Sequence, residues 1–247
     1  MALSGTELTL LQDVAEKHSE AEKPCATASD VLKLILNRFA GRVAVISSFG
    51  AESAVLLALV ADIDSSVPVY FLDTKRHFPE TLSYRDELVR FLGLRNLRIL
   101  SPSSQALKDR DPQDQLAAFD PDACCALRKV EPLETVLPEF DLWITGRKRM
   151  QSHTRAALPI IEPQEDGTVK INPLAGWQAR DIAAFMEERQ LPSHPLVAQG
   201  YLSIGCAPCT RAVGEGEDSR AGRWSGKVKM ECGIHRPVPS SFPASSV

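Results

Sequence analysis

Six cysteines stand out in this chain of 247 residues. Four of them form two pairs, the adjacent Cys124 and Cys125 and the Cys206-x-x-Cys209 of "GCAPCT". Four thiolates can hold zinc or an iron–sulfur cluster. Zinc is usually gripped by two Cys-x₂₋₄-Cys knuckles, whereas adjacent cysteines diverge in direction, so binding one small ion with both strains the backbone. A larger cluster takes adjacent ligands more easily. The other readings are a dithiol redox role for "GCAPCT", which lacks a clear preceding strand, and four unrelated thiols. Lys129 follows Cys125 by one helical turn on the same face. There its ammonium would offset the charge of a thiolate cluster and face an anionic ligand; the plain alternative is a surface lysine.

Cys232 stands in a different setting. Arg220, Arg223, Lys227, Lys229 and Arg236 flank it, Glu231 is the single acid of the stretch, and His235 lies just downstream. Cationic surroundings favour thiolate over thiol, and the thiolate is the nucleophile. The segment has no apolar period that would make Cys232 a core residue, so it reads as reactive. Cys25, in the polar "EKPCATASD", reads as incidental.

Three loops offer groups to an anion. "SSFGAES" holds Ser47, Ser48, Phe49, Gly50 and Ser53 between an expected strand and an expected helix, where hydroxyls and backbone N–H groups can meet a phosphate. It is neither a Gly-Lys-Ser/Thr phosphate loop nor a GxGxxG turn. "FLDTKRHFPET" places Asp73, Thr74, Lys75 and Arg76 after the next strand. "TGRKRMQSHTR" places Gly146, Arg147, Lys148, Arg149 and Arg155 after another. Three such loops at one sheet edge point to a polyanionic ligand; solvated loop charges are the bland alternative.

The elements that must position these loops follow from pattern. Strands are expected at 42–48, 67–73, 96–101 and 141–146, and helices at 51–63, 79–93 and 179–190. "ASDVLKLILNRFAG" reads as a helix capped by Ser29 or Asp30 and stopped at Gly41. "CCALRKVEPLETVLPEF" reads as a helix broken at Pro132. "IIEPQEDGTVKINPL" reads as a hairpin around Asp166-Gly167. Strands alternating with helices imply right-handed βαβ units and an α/β fold with a mostly parallel sheet, whose ligands bind at the carboxyl ends of the strands. Residues 1–213 form the body, with a helical segment over about 1–40. Residues 214–247 read as a mobile tail carrying functional residues, its last ten residues disordered.

Bulk properties narrow the class. Apolar residues make up 44% of the chain, enough for one sizeable core. A net charge of −4 argues against nucleic-acid binding driven by bulk charge. The longest apolar run, "AVLLALVA", is too short to cross a bilayer, and the charged N-terminal stretch lacks the apolar region of a secretory signal. The expectation is a cytoplasmic protein, where thiols serve metals or redox chemistry more than disulfides.

Taken together, "SSFGAES", "FLDTKRHFPET", "CCALRKVEPL", "WITGRKRMQSHTR", "GCAPCT", "RAGRW" and "ECGIH" resemble, in this order, the assimilatory sulfonucleotide reductases. The likeness spans about residues 40–236 and is strongest to the iron–sulfur adenylyl-sulfate (APS) reductases. It implies a doubly wound sheet of the PP-loop adenine nucleotide α-hydrolase type. The loop is similar to the SGGxDS loop of ATP pyrophosphatases but has lost a glycine and the aspartate, which argues against an ATP-using sulfurtransferase.

The resemblance also implies a mechanism. Adenosine lies over the strand ends and the phosphosulfate in the Ser47–Ser53 loop. Cys232 attacks the sulfate sulfur, AMP leaves, and thioredoxin or glutaredoxin releases sulfite from the S-sulfocysteine. Arg155, Arg220, Arg223 and His235 surround the phosphosulfate. Cys124, Cys125, Cys206 and Cys209 hold a [4Fe-4S] cluster whose field Lys129 couples to the substrate. Such an enzyme serves assimilatory sulfate reduction and cysteine biosynthesis. Relatives that use 3′-phosphoadenylyl sulfate (PAPS) typically lack the four cluster cysteines, so APS is the expected substrate and PAPS the alternative. Other competing classes are an ATP-using enzyme and a non-catalytic zinc-stabilised nucleotide-binding module. Neither nucleic-acid nor membrane partners are expected, and a homo-oligomer stays open.

Overall fold

The computed structural model describes residues 3–18 and 24–235. Two helices lead, α1 (Gly5–His18) and α2 (Pro24–Arg38). The chain then alternates through β1 (Val43–Ser47), α3 (Ser53–Asp64), β2 (Val69–Leu72), α4 (Pro79–Leu92) and β3 (Leu97–Leu100). Short helices α5 (Ser104–Arg110), α6 (Leu116–Phe119), α7 (Pro121–Cys125) and α8 (Glu131–Glu134) precede β4 (Leu142–Thr145). The hairpin strands β5 (Ile161–Pro163) and β6 (Val169–Ile171) and the helix α9 (Ala179–Glu188) complete the body.

The six strands form one sheet in the order β3-β2-β1-β4-β6-β5. Every pairing is parallel except β5 with β6, as the turn at Asp166-Gly167 requires, since a tight hairpin reverses the chain. Side-chain alternation makes two layers. Val43, Val45, Val69, Phe71, Leu142 and Ile144 face a large core shared with α1, α2, α3, α4 and α9. Ala44, Ile46, Tyr70, Leu72 and Trp143 face a smaller core closed by Leu133 and Phe140. Burial on both faces is why β1, β2 and β4 read as near-continuous apolar runs, whereas β3, at the sheet edge, is partly exposed. The order reverses between β1 and β4, and the ends of these strands open the crevice used by doubly wound sheets.

Two local expectations are corrected. Helix α2 starts at Pro24, a turn ahead of Ser29, because proline is preset for the first helical turn. Pro132 does not break its helix: Pro121–Glu134 is continuous through a π-turn at Ala126–Val130. The wider turn absorbs the hydrogen bond that proline cannot donate. Residues 214–235 pack on the body, with Arg211 N–H donating to Gly222 O at 3.0 Å and Trp224 N–H to Cys209 O at 3.0 Å. The stretch expected to be disordered, 238–247, lies outside the described residues. Among the described residues no helix is long and apolar enough to cross a membrane.

Candidate active site

A cavity of about 620 Å³ opens at the carboxyl ends of β1 and β4, within the size range of small-ligand sites. Helix α9 and the segment after it contribute apolar walls, including Ile182, Met186 and Val197. The β1–α3 loop contributes Ser47, Ser48, Gly50 and Ser53. Its turn is tight: Ser47 Oγ accepts from Phe49 N–H at 3.2 Å, and Phe49 takes a left-handed φ of 48°. That conformation is uncommon for a bulky residue. It turns the Phe49 side chain into the core, edge-on to Phe71 at 5.6 Å. A Cβ at Gly50 would stand 3.2 Å from Ile204 O, so glycine lets the two backbones approach.

The basic loop after β4 is largely neutralised by its own neighbours. Arg147 pairs with Glu162. Lys148 Nζ lies 2.9 Å from Glu52 and donates to Gly146 O at 3.0 Å. Arg149 Nε donates to Leu158 O at 2.8 Å. Arg155 makes a bidentate pair with Glu231, Nε to Oε1 at 2.8 Å and Nη2 to Oε2 at 2.7 Å, and its Nη1 donates to Gln151.

The tail supplies the facing wall with Arg220, Arg223, Cys232 and His235. Arg220 Nη2 donates to Met230 O at 2.9 Å and lies 3.6 Å from Glu231. Burial, then the adjacent Arg155 guanidinium, pulls Arg220 down to about 10. Arg223 lies over the Trp224 ring at 4.5 Å, and its buried Nε has no partner among the described residues. A Cβ at Gly205 would meet the Arg223 guanidinium at 2.2 Å, so glycine makes room for it. His235 stacks on Trp143 at 6.1 Å, and its buried Nδ1 has no partner among the described residues. Burial, with Arg147 and Arg155 nearby, holds it well below the ordinary histidine range, hence neutral. Burial opposes the Glu231 charge, but the Arg155 donors outweigh it and keep the carboxyl below its usual value. Gly233 follows Cys232 at φ 86°, a left-handed turn that carries the chain from Cys232 to His235.

The cysteines gather beside this cavity. Cys206 is tied to the loop after β2 by a bridge to His77 and by Thr74 Oγ1 at 3.2 Å from its Sγ. It lies within electrostatic reach of Cys124, Cys125 and Cys209. Burial pushes the Cys125 thiol up to about 12 and the Cys124 and Cys209 thiols upward. Burial also raises Cys206, but the Lys129 ammonium and the Thr74 hydroxyl bring it below the free thiol. Lys129 lines the cavity; burial alone would lower its pKa, but the neighbouring cysteine sulfurs, Cys206 foremost, outweigh that and raise it. All six cysteines are free, with Cys25 exposed. Among the described residues no three His, Cys, Asp or Glu side chains come together as a site for a single metal ion.

Most of the residues singled out in the sequence therefore meet at one place. Lys129, Gly146, Arg155, Arg220, Arg223, Cys232 and His235 line the cavity with Ser47, Ser48, Gly50 and Ser53. Among the residues the resemblance and the loops assigned to the anion, Phe49, Asp73, Thr74, Lys75, Arg76 and Arg149 do not line it. Phe49 is core, Thr74 faces Cys206, and Asp73 is paired with Lys75 at 2.6 Å. Sequence reasoning passed over Glu52, Glu162, Trp143 and Trp224. It noted Glu231 only as an exception among bases, and that exception was the available signal.

The phosphoadenosine phosphosulfate reductase domain family matches residues 42–212. An adenosine 5′-phosphosulfate reductase of Chelativorans sp. is 51% identical over 212 residues, covering 85% of this chain and 86% of that protein. One of Streptomyces coelicolor is 43% identical, covering 85% and 89%. A phosphoadenosine 5′-phosphosulfate reductase of Gloeobacter violaceus is 40% identical, covering 80% and 83%. The crystal structure of a PAPS reductase from Candida auris, a phosphate complex, superposes with a TM-score of 0.68 at 26% identity, covering 84% of this chain and 97% of that one. An FMN adenylyltransferase of Candida glabrata shares the fold, with a TM-score of 0.53 at 18% identity over 82% and 72% of the two chains.

Proposed function

The chain belongs to the phosphoadenosine phosphosulfate reductase family, and from that premise we propose that it reduces adenylyl sulfate to sulfite and AMP through an S-sulfocysteine on Cys232. The observation that carries this reading is the cavity itself. One sulfur, that of Cys232, lines the same cavity as Arg220, Arg223, Lys129 and the hydroxyl-rich strand-to-helix loop. The names of the Chelativorans and Streptomyces relatives favour adenylyl sulfate; the Gloeobacter relative supports PAPS as the second reading.

In the first step the Cys232 thiolate attacks the sulfate sulfur. An S–S bond forms, the S–O bond to the nucleotide breaks, and AMP leaves with the electron pair. Arg220 and Arg223 meet the charge that develops on the leaving phosphate, and preorganised charges of this kind supply much of an enzyme's rate enhancement. His235, neutral and facing the same space, can donate one hydrogen bond without adding charge. In the second step a dithiol reductant, thioredoxin or glutaredoxin, attacks Cys232 Sγ. Sulfite departs, and the reductant's second thiol resolves the mixed disulfide, so two electrons pass from dithiol to sulfur. The segment that carries Cys232 must open for this step and close for the first.

Cys124, Cys125, Cys206 and Cys209 would hold a [4Fe-4S] cluster. What supports the fit is the donor set: four free, soft thiols on two segments, within reach of one another yet not gathered around one ion. Bound there, the cluster supplies a fixed negative charge that Lys129 balances.

The test is sulfite and AMP release with reduced thioredoxin, run on APS and PAPS side by side, together with iron analysis. The expected result is turnover of APS and bound iron that is lost on Cys206→Ser. Preference for PAPS would overturn the substrate, and an iron-free active enzyme would overturn the cluster.

A further inference from the structure

Of the contacts between tail and body, which include Lys229 with Asp122 and Lys227 with the Ala117 carbonyl, one ion pair sits directly beside Cys232. Glu231 is adjacent to Cys232, and both its carboxylate oxygens are held by Arg155 at 2.7–2.8 Å. The third edge of the Arg155 guanidinium is held by Gln151. Gln151 Nε2 donates to Glu52 at 3.2 Å, and its Oε1 accepts from Lys148 N–H at 3.1 Å. A continuous relay thus runs Glu52–Gln151–Arg155–Glu231, from the end of the anion loop to the residue beside the nucleophile. A bidentate arginine–carboxylate pair fixes orientation as well as distance, and this one is largely shielded from water, with side-chain exposures of 10% and 22%.

We propose that Glu231 is the positioning residue of Cys232, docking the tail through Arg155 so that the sulfur enters the cavity, and that Arg155 is the tail's anchor instead of a ligand of the phosphosulfate. This rests on the reading of Cys232 as the sulfur-accepting nucleophile and deepens it. Three of the five Arg155 guanidinium N–H donors, one on each nitrogen, are engaged within the protein when the tail is docked, which leaves the phosphosulfate chiefly to Arg220, Arg223, Lys129 and the Ser47–Ser53 loop. A misplacement of about 1 Å at a reacting atom can slow a step by roughly 10²-fold, so loss of this pair acts on the chemical step and spares nucleotide affinity.

The test is single-turnover formation of the Cys232 adduct from APS without reductant, followed by intact mass, alongside the affinity for AMP. Glu231→Gln is expected to slow adduct formation roughly 10²-fold while AMP affinity stays within about twofold. Arg155→Gln is expected to give the same pattern, the double variant to be no worse than either single, and Glu231→Asp to recover part of the rate. Adduct formation at the wild-type rate in Glu231→Gln would overturn the proposal. So would a loss of AMP affinity in Arg155→Gln that Glu231→Gln does not share, since that marks Arg155 as a nucleotide ligand. A wild-type chain that forms no adduct would instead overturn the function on which the proposal rests.

Discussion

Two walls of the same cavity are held by different physics. The sheet wall rests on aliphatic burial: Val45, Leu57, Val69, Phe71 and Ile144 have no exposed surface. The tail wall rests on charge: Arg155 with Glu231, Lys229 with Asp122, Arg223 over Trp224. Hydrophobic burial is non-directional and insensitive to pH, so it makes a permanent scaffold. Ion pairs fix orientation more than they add net stability, so they suit the segment proposed to dock and release. The comparison teaches that substitutions in the scaffold should change how much enzyme is folded, and substitutions in the tail should change what the folded enzyme does.

The largest separation of the two is expected at Cys232. Cys232→Ser should lower sulfite release by roughly 10³-fold or more while leaving the thermal midpoint unchanged; a substantial residual rate would place the nucleophile elsewhere. The scaffold counterpart is Leu57→Ala. It should cost about 2–5 kcal/mol by denaturant unfolding, with turnover per folded molecule unchanged.

A pH titration sharpens the contrast further. His194 is buried, its Nδ1 accepts from Leu196 N–H at 3.2 Å, and its Nε2 lies 3.0 Å from Thr81 Oγ1. Burial lowers its pKa from 6.5 to about 4. The unfolded chain therefore binds a proton that the folded chain refuses. This contribution to stability is full above pH 6.5 and is lost as pH falls toward about 4, at about 1.4 kcal/mol per pH unit within that window. Unfolding curves of wild type and His194→Gln should differ in slope over that window; equal slopes would contradict the assignment.

A smaller effect is expected at Gly222, between Arg220 and Arg223. A Cβ there would stand 2.2 Å from the Arg211 carbonyl oxygen, a backbone atom that can retreat only by moving the tail. Gly222→Ala should weaken AMP binding about tenfold, equal to about 1.4 kcal/mol, as read by calorimetry. An unchanged affinity would separate the tail arginines from the nucleotide.

The same contrast explains what the sequence disclosed. Strands β1, β2 and β4 and helix α3 were legible as short apolar runs, because burial on both faces demands them, and helices α4 and α9 because burial of one face imposes a period of 3.6. Cys232, Lys129 and the arginines were legible because their residue types are costly or reactive outside a site. The π-turn at Ala126–Val130 was hidden, since it depends on how a helix accommodates Pro132 and not on any period. The partnership of Arg155 with Glu231 was hidden because it joins residues 76 apart in sequence, and no local pattern encodes it. The same holds for Arg147 with Glu162, which turns an expected anion ligand into an internal ion pair.

The central claim is that the tail's sulfur receives the sulfo group inside this cavity. The direct measurement is incubation with APS in the absence of any reductant, followed by proteolysis and mass mapping of every cysteine peptide. The account predicts one added SO₃ on the peptide carrying Cys232, no other modified cysteine, and one AMP released per adduct. An adduct on Cys124, Cys125, Cys206 or Cys209, or AMP release without any adduct, would contradict it.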